Sequence, residues 1–283
     1  MAADQNNQKD HWSSEKYATS ASFVPLLTTK VVSYLNPSPT DRILDIGCGD
    51  GPLSAKIAAT VPQGTLLGLD ASPSMIKTAQ TDHSSGPNIS FRVADCANLR
   101  ASAPDVLDGS WDKIFSNAAF HWILRAPGTR ARVFADLHAA LRPGGALVFE
   151  MGGAGCVAEV HSTLTAALVT HGGVAGVAEA REASPWFYAD EPWMRRTLEA
   201  AGFVVEVCEK EYRPTRLTDE KEGGLAGWVR LFGNAFLERV EEGKREEVVR
   251  HVVEACRGSC EREDGSWWLG YVRLRAVARK PAA

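Results

Sequence analysis

A short apolar segment that runs into three closely spaced glycines decides the fold: residues 42–51 read RILDIGCGDG. A brief apolar run bounded by turn residues is typical of a buried strand. Glycines let the backbone turn sharply where such a strand ends. Residues 52–58, PLSAKIA, have the pattern of a helix. The stretch therefore predicts a strand, a glycine turn and a helix in succession.

The same alternation continues on the C-terminal side of this unit. Strands that alternate with helices at this spacing indicate an α/β fold, with a mostly parallel sheet and helices on both of its faces. A later segment alternates like an edge strand, and the last one is a closing strand. The predicted strands are 65–70, 89–95, 111–116, 146–151, 203–209 and 267–278, and the main predicted helices are 23–35, 72–80, 129–141, 191–201 and 225–253.

Composition and charge exclude several classes of protein. The chain has 283 residues, is 45% hydrophobic and carries a formal net charge of −4. Its apolar runs are far shorter than the roughly 20 residues that span a bilayer. The mild acidity argues against a nucleic-acid or membrane partner, because either would need a basic face. The polar residues 1–17 lack the apolar stretch of a secretory signal, so we expect a cytoplasmic protein.

The six cysteines are dispersed, as reduced thiols are in an intracellular protein. Cys256 and Cys260 form the one close pair, and their spacing is not that of a zinc site. We therefore expect no metal.

Three acids at predicted strand ends indicate which ligand the glycine turn binds. The turn has GxGxG spacing and no following GK[ST], which argues against a phosphate-binding loop. Asp45, just before the turn, would repel a pyrophosphate and attract a cationic amine. Asp70 could accept hydrogen bonds from ribose hydroxyls. Asp95 could accept one from an adenine amine, and the backbone N–H of Cys96 could donate to a ring nitrogen. Together these groups describe S-adenosylmethionine.

The same residues carry a family resemblance. Segments 43–51, 68–72 and 94–96, with the turn 141–145, resemble the class I S-adenosylmethionine-dependent methyltransferases. The resemblance implies a Rossmann-like seven-stranded sheet, mostly parallel, with an antiparallel last strand and helical cap insertions. It also implies a small-molecule acceptor. The implied cofactor-binding residues are Asp45, Gly47, Cys48, Gly49, Asp70, Ala71, Asp95, Cys96, Asn117 and Ala118.

The segment after the fourth strand, residues 116–123, resembles a loop of trans-aconitate and juvenile hormone acid methyltransferases, which methylate carboxylates. The resemblance places Asn117 and Ala118 beside the methionine part of the cofactor. It makes His121 the catalytic residue and turns His121 and Trp122 toward the acceptor. The alternative is that this segment only packs in the core. For a carboxylate acceptor His121 would be an orienting donor, whereas for a phenol, enol or amine it could act as a base.

Further acceptor-binding candidates lie outside this core. Tyr17, like Trp12, belongs to an N-terminal arm that could close over the cofactor. Trp186 and Tyr188 form an aromatic cluster, which would either line the acceptor pocket or pack without a ligand. Arg181 is a possible partner for a carboxylate, although a surface arginine is the simpler interpretation.

We expect a single domain, residues 1–283, because the closing strand belongs to the same sheet as the early ones. Its oligomeric state, monomer or homodimer, stays open. Carboxylate O-methylation is weakly favoured; the alternatives are O-, N- or C-methylation of a secondary metabolite, a cofactor-dependent cyclase, and a binding module without activity. The predicted parts are an arm (1–40), the cofactor-binding core (41–151), two helical insertions that form the acceptor pocket (152–202 and 213–265) and two closing strands (203–212 and 266–279).

Overall fold

A computed structural model describes residues 28–84, 86–171, 173–219 and 223–282. Its centre is one seven-stranded sheet with the order β3-β2-β1-β4-β5-β7-β6. The strands are β1 (Arg42–Ile46), β2 (Thr65–Asp70), β3 (Ile89–Val93), β4 (Trp111–Asn117), β5 (Leu141–Gly152), β6 (Val204–Arg216) and β7 (Trp268–Arg279).

Helices follow most of the strands, as the alternating pattern predicts. The α-helices are α1 (Thr29–Leu35), α2 (Pro52–Ala58), α3 (Pro73–His83), α4 (Leu99–Ser102), α5 (Phe120–Ile123), α6 (Arg130–Ala140), α7 (Ala158–Thr170), α8 (Val177–Glu182), α9 (Glu191–Ala200), α10 (Gly224–Phe232), α11 (Asn234–Leu237) and α12 (Arg245–Cys260). Short 3₁₀ turns occur at Pro104–Leu107, Pro127–Thr129 and Glu242–Lys244. No helix in these described ranges is both long and apolar enough to cross a bilayer.

Five strands are parallel and the last strand runs against its neighbours. β3, β2, β1, β4 and β5 pair in parallel, whereas β7 lies antiparallel between β5 and β6. The predicted fold class, with its antiparallel last strand, is therefore confirmed. β2 lies on one side of β1 and β4 on the other, so the winding direction of the chain reverses at β1. In such sheets, ligands bind at this reversal, beyond the carboxyl ends of the strands.

Alternation along β1 distributes the core over both faces of the sheet. Ile43 packs with Val31 and Leu35 of α1, and the next residue, Leu44, packs with the cluster that contains Phe134 of α6. Adjacent strand residues point to opposite faces, so a strand that is apolar at both positions needs cover on both sides. A third apolar cluster joins α7, α10 and α12 to β7, and it forms a cap at one end of the sheet.

The structure matches the predicted bounds of β1, α2 and β2 and differs from others. β3 ends at Val93, two residues before the predicted Asp95, and β5 begins at Leu141, five residues before the predicted start. β6 continues to Arg216, beyond the predicted closing strand 203–212, because it pairs with β7 as far as Arg216 opposite Trp268. The second helical insertion therefore begins later than residue 213.

Candidate active site

A cavity of about 610 Å³ lies at the carboxyl ends of the central parallel strands, under the helical cap. Of the predicted site residues that fall within the described ranges, all but Arg181 line it. Tyr17 and Trp12 lie outside the described residues. The lining includes Asp45, Gly47, Cys48, Gly49, Asp70, Ala71, Asp95, Cys96, Asn117, Ala118, His121, Trp122, Trp186 and Tyr188.

The glycine turn needs its glycines for two different reasons. Gly47 and Gly49 both have positive φ values, 73° and 57°, which L side chains rarely adopt. A Cβ on Gly47 would lie 2.2 Å from the Cβ of Ala119, whereas one on Gly49 would meet nothing within 4 Å. Gly47 thus permits close packing against the Ala119 side chain, and Gly49 faces open space at the cavity.

We expect Gly47→Ala to lower the free energy of unfolding by about 2–4 kcal/mol, because it combines overpacking with left-handed strain. Gly49→Ala is the matched control, with strain alone and an expected cost of about 1 kcal/mol. Chemical denaturation of both variants measures the difference. Equal losses would contradict the steric role of Gly47. Calorimetric titration with S-adenosylhomocysteine should show weakened binding for Gly49→Ala, whose new methyl group projects into the cavity.

Asp70 ties the glycine turn to the end of β2. Its Oδ2 accepts the Gly49 N–H at 3.0 Å and its Oδ1 accepts the Ser72 N–H at 2.9 Å. The carboxylate therefore shapes the turn, which is a task that sequence reasoning did not assign to it.

Asp45 lies beneath the same turn and is almost fully buried, at 3% exposure. Its Oδ2 accepts a hydrogen bond of 2.6 Å from the Ser54 hydroxyl. Burial raises the pKa of Asp45 to about 7, against the lowering effect of the Ser54 bond. Because burial disfavours the ionised form of Asp45, a ligand that places a positive charge beside it would stabilise the carboxylate.

These residues fit S-adenosylmethionine as a group. The cavity offers a buried carboxylate for an ammonium group at Asp45 and an open glycine backbone at Gly49. It also has exposed Asp95 and buried Cys96 just beyond the end of β3, where an adenine ring would meet them.

A strained backbone follows β4. Ala118 has a φ of +58°, and its N–H donates to the Glu150 carbonyl of β5 at 2.8 Å. Left-handed non-glycine residues cost free energy and concentrate at functional sites. This bend turns the chain into α5, which carries His121 and Trp122 into the cavity wall.

His121 is a buried, neutral hydrogen-bond donor. Its Nδ1 accepts the backbone N–H of Gly152 at 3.3 Å. Burial lowers the pKa of His121 well below its usual value, and the charge of Arg273 lowers it further. A neutral imidazole carries one proton. Because Nδ1 is the acceptor, that proton is on Nε2.

Aromatic side chains from four parts of the chain form one continuous wall. Trp122 lies edge-on to Trp186, with ring centroids 5.7 Å apart, and Trp186 stacks on Tyr188 at 5.9 Å. Trp186 is 7% exposed and still lines the cavity, so it packs and faces the pocket at once. Sequence reasoning missed further rings of the lining, among them Trp228, Phe232 and Tyr271.

It also missed the buried cation of the site. Arg273 of β7 lines the cavity, and its Nε donates to Glu150 Oε1 at 2.8 Å. Arg181 is exposed and is not among the lining residues. A signal was available: Arg273 and Arg275 are charged residues on one face of an otherwise apolar strand, and such positions need a partner when the strand is internal.

No metal centre accompanies these groups in the part of the chain that the structure describes, where no cluster of three or more His, Cys, Asp or Glu side chains could hold an ion. All six cysteines are free thiols. The described lining of the cavity offers carboxylates, one imidazole, one buried guanidinium and aromatic rings.

Comparison with known proteins assigns the family. The methyltransferase domain profile matches residues 43–145. An uncharacterized methyltransferase of Schizosaccharomyces pombe is 37% identical over 273 residues, which are 96% of this chain and 99% of the relative. A trans-aconitate 2-methyltransferase of Methylobacterium nodulans is 28% identical over 241 residues, 84% of this chain and 86% of that protein.

Solved structures agree on the fold. The crystal structure of an S-adenosylmethionine-dependent methyltransferase from Methanosarcina mazei superposes with a TM-score of 0.54 at 16% identity, and it covers 89% of this chain and 98% of its own. With the sheet order, the glycine turn and the full-length relative, these matches establish that the chain belongs to the class I S-adenosylmethionine-dependent methyltransferases.

Proposed function

We propose that this methyltransferase forms methyl esters, with a carboxylate of a small molecule as the acceptor. The observation that carries the proposal is the hydrogen bond that Nδ1 of His121 accepts from the Gly152 backbone. Because Nδ1 is the acceptor, Nε2 carries the proton and is a donor. A neutral phenol or an ammonium acceptor would need a base to remove a proton, whereas a carboxylate is already ionised at neutral pH.

S-adenosylmethionine, when bound, supplies a sulfonium methyl group, whose transfer to a carboxylate oxygen breaks the S–CH3 bond, leaves the electron pair on sulfur and moves no proton. The chain's own residues then have three tasks. Asp45 and Asp70 bind and orient the cofactor, His121 donates Nε2–H to the acceptor carboxylate, and the aromatic wall excludes water. The similarity to the Methylobacterium nodulans trans-aconitate 2-methyltransferase supports a carboxylic acid acceptor.

The proposal is tested with acceptors that share a carbon skeleton and differ in the accepting group: phenylacetic acid, 4-ethylphenol and phenethylamine. Each is incubated with the full chain and methyl-labelled cofactor. We expect label only in the acid, in a base-labile form that releases methanol. Label in the phenol or amine and none in the acid would overturn the proposal.

His121→Phe should lower kcat/KM for an acid about 10- to 30-fold, the value of a hydrogen bond to a charged group. His121→Gln, which can place an N–H near the position of Nε2, should retain more activity than the Phe variant. At saturating cofactor, kcat should stay level from pH 6 to 8, because the lowered pKa keeps His121 neutral throughout. A rise of kcat through pH 6.5 that disappears in His121→Gln would indicate a base instead.

A further inference from the structure

Arg273 is the buried cation of the cavity. Among the described residues, the lining contains two arginines, exposed Arg125 and Arg273, which is only 5% exposed. In the β5–β7 register Arg273 lies opposite Gly152, the residue whose N–H holds His121. Arg273 and His121 therefore both lie beside the C-terminal end of β5.

Arg273 shares its acidic partner with two other arginines. Glu150 accepts from Arg273 at 2.8 Å, and it also accepts from Arg275 at 2.6 Å and from Arg213 at 3.0 Å. The acids Glu209 and Glu211 join this network at Arg275. Arg273 commits its Nε to the shared carboxylate, while a guanidinium has five N–H donors.

Apart from Arg273, the acceptor end of the cavity offers little to an anion. The second arginine is exposed, and Glu238 adds a negative charge to the lining. The remaining surface is mostly aromatic, which suits an apolar or planar body and penalises a buried charge without a partner. The rings that form it are Trp122, Trp186, Tyr188, Trp228, Phe232 and Tyr271.

We infer that Arg273 binds the acceptor's carboxylate and that the acceptor carries this one anionic group on an aryl or alkyl body. The inference rests on the proposed function and narrows it. A guanidinium recognises a carboxylate through paired N–H donors in a fixed plane, and Glu150 is the positioning residue that sets this plane. A polycarboxylate would bring further charges against the aromatic wall, where the described residues provide no second buried cation.

The experiment compares monocarboxylic with polycarboxylic acids. The full chain is assayed with trans-cinnamic, indole-3-acetic and decanoic acids and with trans-aconitic acid, and trans-cinnamamide is the uncharged control. Binding of each compound to the protein saturated with S-adenosylhomocysteine is measured by calorimetry, which does not depend on turnover. We expect at least one monocarboxylic acid to bind and to exceed trans-aconitic acid at least 30-fold in kcat/KM, and the amide to bind at least 10-fold more weakly than its acid.

Three arginine variants test whether Arg273 binds the acceptor's carboxylate. Arg273→Gln should lower the affinity for the preferred acid at least 30-fold. Its affinity for S-adenosylhomocysteine should stay within threefold of the parent's, and this retained affinity also shows that the variant is folded. Arg273→Lys keeps the charge without the planar fork and should lose about 10-fold. Arg279→Gln on the same strand, whose arginine pairs with Glu206 at the surface, is the matched control and should change nothing.

Different experimental outcomes would contradict this inference and the proposed function. Preference for trans-aconitic acid, or full acid affinity in Arg273→Gln, overturns the inference and leaves ester formation standing. Transfer to phenols or amines in place of acids overturns both. Binding and turnover of none of the acids overturns the inference as stated.

Discussion

Replacing Glu150 by glutamine is expected to lower the free energy of unfolding by about 3–5 kcal/mol, as removal of one partner from a buried ion pair does. Glu150 is 1% exposed and lies against Arg213, Arg273 and Arg275. A glutamine could still accept one hydrogen bond, but it would remove the negative charge that faces these three guanidinium groups. Chemical denaturation at pH 7 measures the loss.

Glu211→Gln is the control for this substitution. Glu211 pairs with Arg275 at 2.6 Å, yet its side chain is 41% exposed, so the expected loss is below about 1 kcal/mol. Similar losses in the two variants would show that burial of the Glu150 network contributes nothing.

The pH dependence provides a second test of Glu150. Burial alone would raise its pKa, but the charges of Arg273 and Arg213 outweigh burial, so the folded pKa lies below its usual value. The stability that results is present above the unfolded pKa of about 4.5 and is lost as the pH falls through the folded pKa. The parent should therefore lose more stability than Glu150→Gln on acidification below pH 5. An identical acid response would contradict the assignment.

Replacing Asp45 by asparagine should weaken binding of S-adenosylhomocysteine about 100-fold at pH 8, because the ligand's ammonium group loses its charged partner. The same variant should be more stable without ligand. The folded pKa of Asp45 is raised to about 7, so its contribution to stability is complete below the unfolded pKa and is lost as the pH rises through 7. Three pKa units correspond to about 4 kcal/mol, and we expect a gain of about 2–4 kcal/mol at pH 8.

The titration of Asp45 also predicts how ligand affinity varies with pH. The ammonium group favours the ionised carboxylate, so binding releases a proton below pH 7, and affinity should fall up to tenfold per pH unit there and level off above it. Asp45→Asn should remove this dependence, whereas Ser54→Ala, which deletes only the 2.6 Å hydrogen bond, should keep it. Calorimetry in two buffers of different protonation enthalpy counts the protons. A pH-independent affinity in the parent would contradict the assignment.

The cofactor end of the site could be predicted because its signals are local. Asp45, Gly47 and Gly49 lie within five residues of one strand end, and the acids at 70 and 95 follow the next two strand ends. Parallel strands bring such ends to one edge of a sheet, so pattern alone places them together. In the structure, all of these residues lie around one cavity.

The acceptor end depends on contacts that no local pattern records. Arg273 reaches the cavity because β7 pairs antiparallel with β5, more than a hundred residues earlier in the chain. Trp228 reaches it through packing of the helical cap. The extension of β6 to Arg216 has the same origin, since its exposed, alternately charged residues resemble a loop until the pairing with β7 is known.

β7 is an internal strand of the sheet but the last strand in the sequence, and this order affects how the chain folds during synthesis. β7 lies between β5 and β6, so β6 has no sheet partner until residues 268–279 leave the ribosome. The glycine turn and its carboxylates, in contrast, belong to the first half of the chain and are translated early. We therefore expect the cofactor-binding part of the nascent chain to fold first. The edge of β5 stays unpaired until β7, which carries Arg273, has been translated.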